Sequence, residues 1–203
     1  MSARAPLVVA ITGASGAPYA VRLLEALAAA GDPIWLIVSA HGWRLLRAES
    51  DIDAVEALRQ RVGAAAWDRC VTVFDDEDRG ARPASGSARS RGMVVCPCSM
   101  ATAAAIASGN SRSLVERAAD VTLKEGRPLL LVPRETPWST IHLENLLRAS
   151  RAGARILPAS PGFYHRPQRV EDLVDFVVAR VLDHLDVAHD IGRRWGEAAA
   201  DGE

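Results

Sequence analysis

The chain has 203 residues, the size of little more than one domain. Its 24 Lys+Arg and 25 Asp+Glu leave a formal charge of −1, which excludes a protein held to nucleic acid or to an anionic membrane surface by bulk charge. With 49% hydrophobic and 24% charged residues the composition is globular rather than disordered, and no uninterrupted apolar stretch is long enough to span a bilayer.

Short apolar runs alternate with helix-length segments. Leu7 to Thr12 reads as a strand, ending in Gly13-Ala14-Ser15-Gly16, and a helix follows from about Pro18 with Val21, Leu24, Leu27 and Ala28 at helical spacing. Ile34 to Ser39 is a second strand, His41 to Ala48 and Val55 to Val62 are helical, and Val71 to Phe74 is a third, weaker strand. Met93 to Cys98, Leu129 to Val132 and Arg155 to Leu157 are further strands. Helices are predicted over Ala101 to Ala107, Leu114 to Leu123 and Thr140 to Arg151. The last helix carries a stripe of Val170, Leu173, Val174, Val177, Val178, Val181 and Leu185. Asp75 to Gly92 falls outside the alternation, as a long loop that is either functional or mobile.

Uniformly apolar strands, each followed by a helix, predict an α/β domain with a mostly parallel sheet covered on both faces. One domain is expected over 1–203, with a core from about 7 to 186 and a tail from 187. Ligands of such sheets bind at the carboxyl ends of the strands, so the strand-to-helix junctions are the places to search.

At the first junction, the small residues of Thr12-Gly13-Ala14-Ser15-Gly16-Ala17-Pro18 allow close backbone approach, and the helix start behind them offers amide N–H groups to an anion. An ordinary tight turn has the same composition. A nicotinamide dinucleotide site would call for an acidic residue at the end of the second strand, where Ser39 stands instead. The fourth strand ends in Cys96-Pro97-Cys98-Ser99-Met100-Ala101-Thr102, with Ser99 an N-cap candidate and the cysteines better read as small buried hydrophobes than as zinc ligands. The fifth ends in Pro133-Arg134-Glu135-Thr136-Pro137, either an ion pair pinning the turn or a phosphate- and proton-handling pair. Arg180 is spaced to lie on or beside the buried stripe, where it needs an anionic partner from this chain or a ligand. Phe163 reads as a core candidate, Tyr164 offers a hydroxyl, and Glu49 alone is an unremarkable surface carboxylate. Of the 24 basic residues one, Lys124, is lysine.

The series TGASGAPY from Thr12, ASGS from Ala84, GMVVCPCSMAT from Gly92, ERAADVTLKE from Glu116, LVPRETP from Leu131, IHLENLL from Ile141, PGFYHRP from Pro161 and RW at Arg194 resembles the UbiX-like flavin prenyltransferases, a family within the flavoproteins that include the cysteine-type decarboxylases. The resemblance covers Leu7 to about Trp195. It implies a Rossmann-like or flavodoxin-like domain in a homo-oligomer, usually a dodecamer. The implied reaction joins a dimethylallyl group from dimethylallyl phosphate to N5 and C6 of reduced FMN without a metal, giving prenylated FMN for a UbiD-type decarboxylase.

Carried over by motif, Gly13, Ala14, Ser15, Ser39, Ser99, Met100, Ala101, Thr102 and Arg134 fall on FMN-binding positions. Arg117, Lys124, Tyr164 and Arg180 fall on positions that hold the donor phosphate. Ser15, Glu49 and Glu135 fall on positions linked to proton transfer and phosphate departure. Ala84 and Ser85 would close over the prenyl group, and Trp195 would complete an aromatic wall. The single lysine then suits a phosphate that a compact charge fits better than a planar guanidinium.

Gly126 departs from the arginine usual in the family and is expected to loosen the backbone beside Lys124. An FMN-dependent cysteine-type decarboxylase and a non-catalytic FMN carrier are the alternatives; the decarboxylases resemble a PASANT pattern after the fourth strand that is absent here. The opening residues show no secretory pattern and the cysteines are few, so a cytoplasmic location is expected.

Overall fold

The computed structural model describes residues 4–192. Six strands, β1 (Leu7–Ile11), β2 (Ile34–Val38), β3 (Val71–Phe74), β4 (Gly92–Cys98), β5 (Leu129–Pro133) and β6 (Ala154–Ile156), form one sheet in the order β3-β2-β1-β4-β5-β6. Every pairing is parallel. The described residues also form helices α1 (Ala17–Ala29), α2 (Ala40–Ser50), α3 (Val55–Val62), α4 (Ala64–Cys70), α5 (Met100–Ala107), α6 (Leu114–Lys124), α7 (Thr140–Arg151) and α8 (Val170–His184).

The two-residue alternation of the strands divides the core. Leu7, Val9 and Ile11 pack with Leu24 and Leu27 of α1 and Val177, Val178 and Val181 of α8. Val8 and Ala10 point the other way, onto Met100 and Ala103 of α5 and Val115 and Ala118 of α6. Central strands β1, β2, β4 and β5 are buried along their whole length, which is why they are apolar on both faces. Strand β3 lies at the sheet edge, and its exposed Thr72 and Val73 explain its weaker sequence signal.

Strand order reverses at β1, which has β2 on one side and β4 on the other. In an open parallel sheet the connecting helices leave a crevice at such a reversal, above the carboxyl ends of the strands. Thr12–Ser15 and Ser99–Thr102 flank that crevice.

The structure adds to or alters the sequence reading at four places. Helix α4 carries little stripe beyond Trp67 and Cys70, and Gly63, with φ of 101°, separates it from α3. Val170 starts α8 but is 68% exposed, so the buried stripe begins further along, and Phe163 is 70% exposed rather than core. The 75–92 segment is held by its own chain: Asp76 accepts the amide N–H groups of Leu114 and Val115 at the start of α6. Arg127 donates to the carbonyls of Gly86 and Ala88 at 2.6 and 3.2 Å, and a short 3-10 turn at Arg82–Ala84 buries Pro83 and Ala84.

At the opposite, amino edge of the sheet, Asp32 is buried between Arg4 and Arg91, at 2.8 and 2.7 Å. Among the described residues no helix is long and apolar enough to cross a membrane.

Candidate active site

The crevice begins with Thr12, the first residue of the TGASGAPY motif. Its buried hydroxyl donates to the Pro97 carbonyl and accepts the Ser99 amide N–H, both at 2.9 Å. One side chain thus fixes the end of β1 against the end of β4. Gly13 and Gly42 are required by close approach: a Cβ on Gly13 would lie 2.5 Å from His41 Cβ, and one on Gly42 would collide with the Ile11 carbonyl oxygen. The start of α2 therefore packs directly on the turn after β1.

Glu49 is the largest departure from its sequence reading. One of its carboxylate oxygens accepts the amide N–H groups of Gly16 and Ala17, each at 2.8 Å. The expected open anion site at the start of α1 is therefore partly filled by a carboxylate of this chain, which matches the positive end of the helix dipole. Partial burial disfavours the charged form of Glu49. The two amide donors, the Ser15 hydroxyl and the charge of Arg134 outweigh it and hold the pKa below the ordinary glutamate value. A short-range signal for this role is lacking, because Glu49 lies 33 residues beyond Gly16.

Ser39 and Ser99 cap α2 and α5: Ser39 Oγ accepts from Gly42 N, and Ser99 Oγ accepts from Thr102 N. Ser99 and Thr102 also share a 2.9 Å hydroxyl contact. Capping thus consumes one amide of each helix start, while the Met100 and Ala101 amides precede the first intrahelical bond and face the crevice end of α5.

Arg134 and Glu135 do not pair with each other. Arg134 Nε donates to the Ser15 carbonyl at 3.1 Å, whereas Glu135 accepts the Thr136 amide N–H. Arg134 thereby ties the turn after β5 to the turn after β1, beside Glu49. Cys96 and Cys98 are fully buried, and burial pushes the Cys96 thiol up to about 12 and the Cys98 thiol higher, so both are neutral packing groups. Among the described residues no three His, Cys, Asp or Glu side chains are grouped to hold a metal ion.

The three cations and the hydroxyl assigned to a phosphate do not meet within one chain. Arg117 and Lys124 lie on α6, which covers one face of the sheet, and each pairs with a neighbouring carboxylate, Asp120 and Glu125, at 2.6 Å. Lys124 ends α6 shortly before β5 begins, so it sits toward the amino edge, away from the crevice. The 84–87 turn lies against it: a Cβ on Gly86 would be 2.8 Å from Lys124 Nζ, which puts Ala84 and Ser85 close by. Gly126 caps α6 with φ of 65°, a conformation that glycine suits, so it fixes rather than loosens this corner.

Tyr164 and Arg180 belong to the other face, on and beside α8, where both line a cavity of about 880 Å3. Arg180 is not part of the buried stripe. Its side chain is 52% exposed and bonds Asp183 at 3.0 Å, the in-chain partner that the spacing left open. Tyr164 packs edge-on to Phe176 and His165. Trp195 lies outside the described residues.

The reversal of a doubly wound parallel sheet, with Ser15, Ser39, Ser99, Thr102 and Arg134 at the strand ends beside it, is the arrangement of an α/β mononucleotide-binding fold. The Flavoprotein family model matches residues 1–182. The chain is 50% identical over 204 residues to the flavin prenyltransferase UbiX of Pseudomonas aeruginosa, covering 97% of each. The solved AnUbiX in complex with FMN and dimethylallyl pyrophosphate superposes with a TM-score of 0.87 at 41% identity, covering 95% of this chain and 97% of that one. A dodecameric FMN-dependent UbiX-like decarboxylase from Escherichia coli superposes with a TM-score of 0.86 at 43% identity, covering 94% and 98%. The chain belongs to the Flavoprotein family and, within it, to the UbiX flavin prenyltransferases.

Proposed function

We propose that this protein transfers a dimethylallyl group from dimethylallyl monophosphate to N5 and C6 of reduced FMN, releasing phosphate and prenylated FMN. The observation that carries the reading is the Ser15–Glu49–Arg134 cluster at the β1–β4 crevice, in a chain so similar to a flavin prenyltransferase. Reduced FMN, when bound, supplies the nucleophilic nitrogen and carbon. The donor set fits it: Ser39, Ser99 and Thr102 offer hydroxyls, Met100 and Ala101 offer amides, and Gly13 and Ala14 let the backbone approach. Arg134 supplies positive charge at the turn it shares with Ser15.

Glu49 is held ionised at the same turn, so it is the group that accepts a proton, with Ser15 as the hydroxyl between it and the reacting atoms. Glu135 handles a proton at the phosphate side. A departing phosphate needs concentrated positive charge, which Arg117, Lys124 and Arg180 supply together with the Tyr164 hydroxyl. Because these residues lie on opposite faces of one chain, the working site is assembled from neighbouring copies, in keeping with the dodecameric relative. Ala84 and Ser85 then cover the prenyl group, and Trp195 adds an aromatic face that favours developing positive charge on an allyl carbon. We assign the product to a UbiD-type decarboxylase and the protein to the cytoplasm, as one domain with its core over 7–186.

Anaerobic incubation of the protein with reduced FMN and dimethylallyl monophosphate, with the pyrophosphate in a parallel arm, tests this. A heavier flavin with one equivalent of released phosphate is the expected result from the monophosphate. An unchanged flavin mass overturns the transferase reading and leaves an FMN carrier. Transfer from the pyrophosphate arm alone overturns the choice of donor.

A further inference from the structure

After α8 the chain reverses at Asp186, whose φ is 56°, and runs back along the helix, so that buried Val187 donates its amide to the Leu182 carbonyl. This return places His189 beside Asp183. The His189 side chain is 6% exposed, and its Nε2 lies 3.2 Å from Asp183 Oδ1. The Ile191 amide N–H donates to His189 Nδ1 at 3.2 Å. A backbone N–H can only donate, so Nδ1 carries the lone pair, the ring proton is on Nε2, and Nε2 donates to Asp183. Asp183 uses its other oxygen, Oδ2, to accept from Arg180 Nη1 at 3.0 Å. His189, Asp183 and Arg180 all line the same cavity as Tyr164.

We propose that His189 is a positioning residue for the donor phosphate: anchored by the Ile191 backbone, it fixes the Asp183 carboxylate, which in turn aims the Arg180 guanidinium at the phosphate. This rests on the reading of Arg180 as a phosphate ligand. The logic is that of any ligand held from behind. Arg180 is half exposed and long, so on its own it loses side-chain entropy when it settles on an anion. A carboxylate locked by a buried imidazole removes much of that freedom beforehand.

The test compares His189→Ala, His189→Gln and Arg180→Ala, alone and combined, in the FMN-loaded full-length oligomer. His189→Ala is expected to lower kcat/KM for dimethylallyl monophosphate about tenfold, which is ~1.4 kcal/mol, with FMN affinity unchanged. His189→Gln offers one amide donor and one acceptor and is expected to recover most of that loss. In the Arg180→Ala background, His189→Ala is expected to cost nothing further, because the effect passes through Arg180. Equal losses in both backgrounds, or a parallel loss of FMN binding, mean that His189 only anchors the segment after α8 and overturn the proposal. If the wild-type protein makes no prenylated flavin, the transferase reading itself has failed. A crystal structure of His189→Ala then decides the geometric claim, which is overturned if the Arg180 guanidinium keeps its place.

Discussion

Replacing Glu49 by Gln isolates the value of one charge at the start of α1. A Gln oxygen can still accept from Gly16 and Ala17, so both hydrogen bonds survive and only the ionic character is lost. Bonds to charged groups contribute about 1.5–3 kcal/mol against about 0.5–1.5 for neutral ones, so the pair loses about 2 kcal/mol at full burial. Glu49 is partly exposed, and solvent screening brings the expected destabilisation to about 1 kcal/mol. Its pKa is lowered on folding, so this stabilisation is complete above the unfolded glutamate pKa and disappears as pH falls through the lower folded value. Urea unfolding of both proteins at one protein concentration, at neutral and at strongly acidic pH, reads the difference directly. The gap between wild type and Glu49→Gln should be about 1 kcal/mol at pH ~7 and close on acidification. A gap that is absent at neutral pH, or that survives below the folded pKa, refutes the reasoning. In the prenyl-transfer assay the same variant should lose about 10²- to 10⁴-fold, the usual range for removing a general base.

Three further substitutions probe the frame around the crevice. Thr12→Val keeps the shape but strips two partners, the Pro97 carbonyl and the Ser99 amide; a loss of about 2 kcal/mol in urea unfolding is expected, with weaker FMN binding by fluorescence titration. Asp32→Ala leaves Arg91 mostly buried without its counter-charge and should cost about 3 kcal/mol or more, whereas a change within ~0.5 kcal/mol would show that solvent reaches this cluster. Gly126→Arg forces a side chain into a left-handed conformation, so denaturation should show it about 1 kcal/mol less stable than the wild type.

The fold was legible because its signals are local. Runs such as Leu7–Ile11 and Leu129–Pro133 are apolar at every position, and each is followed by a helical stripe, which suffices to predict a covered parallel sheet. The helix start at Ser99 was legible for the same reason, since capping acts within three residues. Contacts between distant segments were not. The hold of Glu49 on Gly16, of Arg127 on Gly86 and of Asp76 on Val115 join residues 33 to 41 positions apart, with no periodicity to announce them. Motif resemblance grouped Arg117, Lys124, Tyr164 and Arg180 by role but could not say that α6 and α8 lie on opposite sides of the sheet. Arg180 lies beside the stripe rather than on it because Leu173, seven residues earlier on nearly the same helical line, is itself only half-buried at the stripe's rim.

If one chain supplies the crevice and its neighbours supply the phosphate ligands, two different defects can repair each other. Lys124→Ala and Arg180→Ala should each abolish most prenyl transfer as homo-oligomers. Dissociated together and reassembled as mixed oligomers, they should regain a substantial part of the wild-type rate, because some sites then receive both an intact α6 and an intact α8 from different copies. Mixed oligomers that form in the expected proportions yet stay as inactive as either parent would contradict a site assembled between copies.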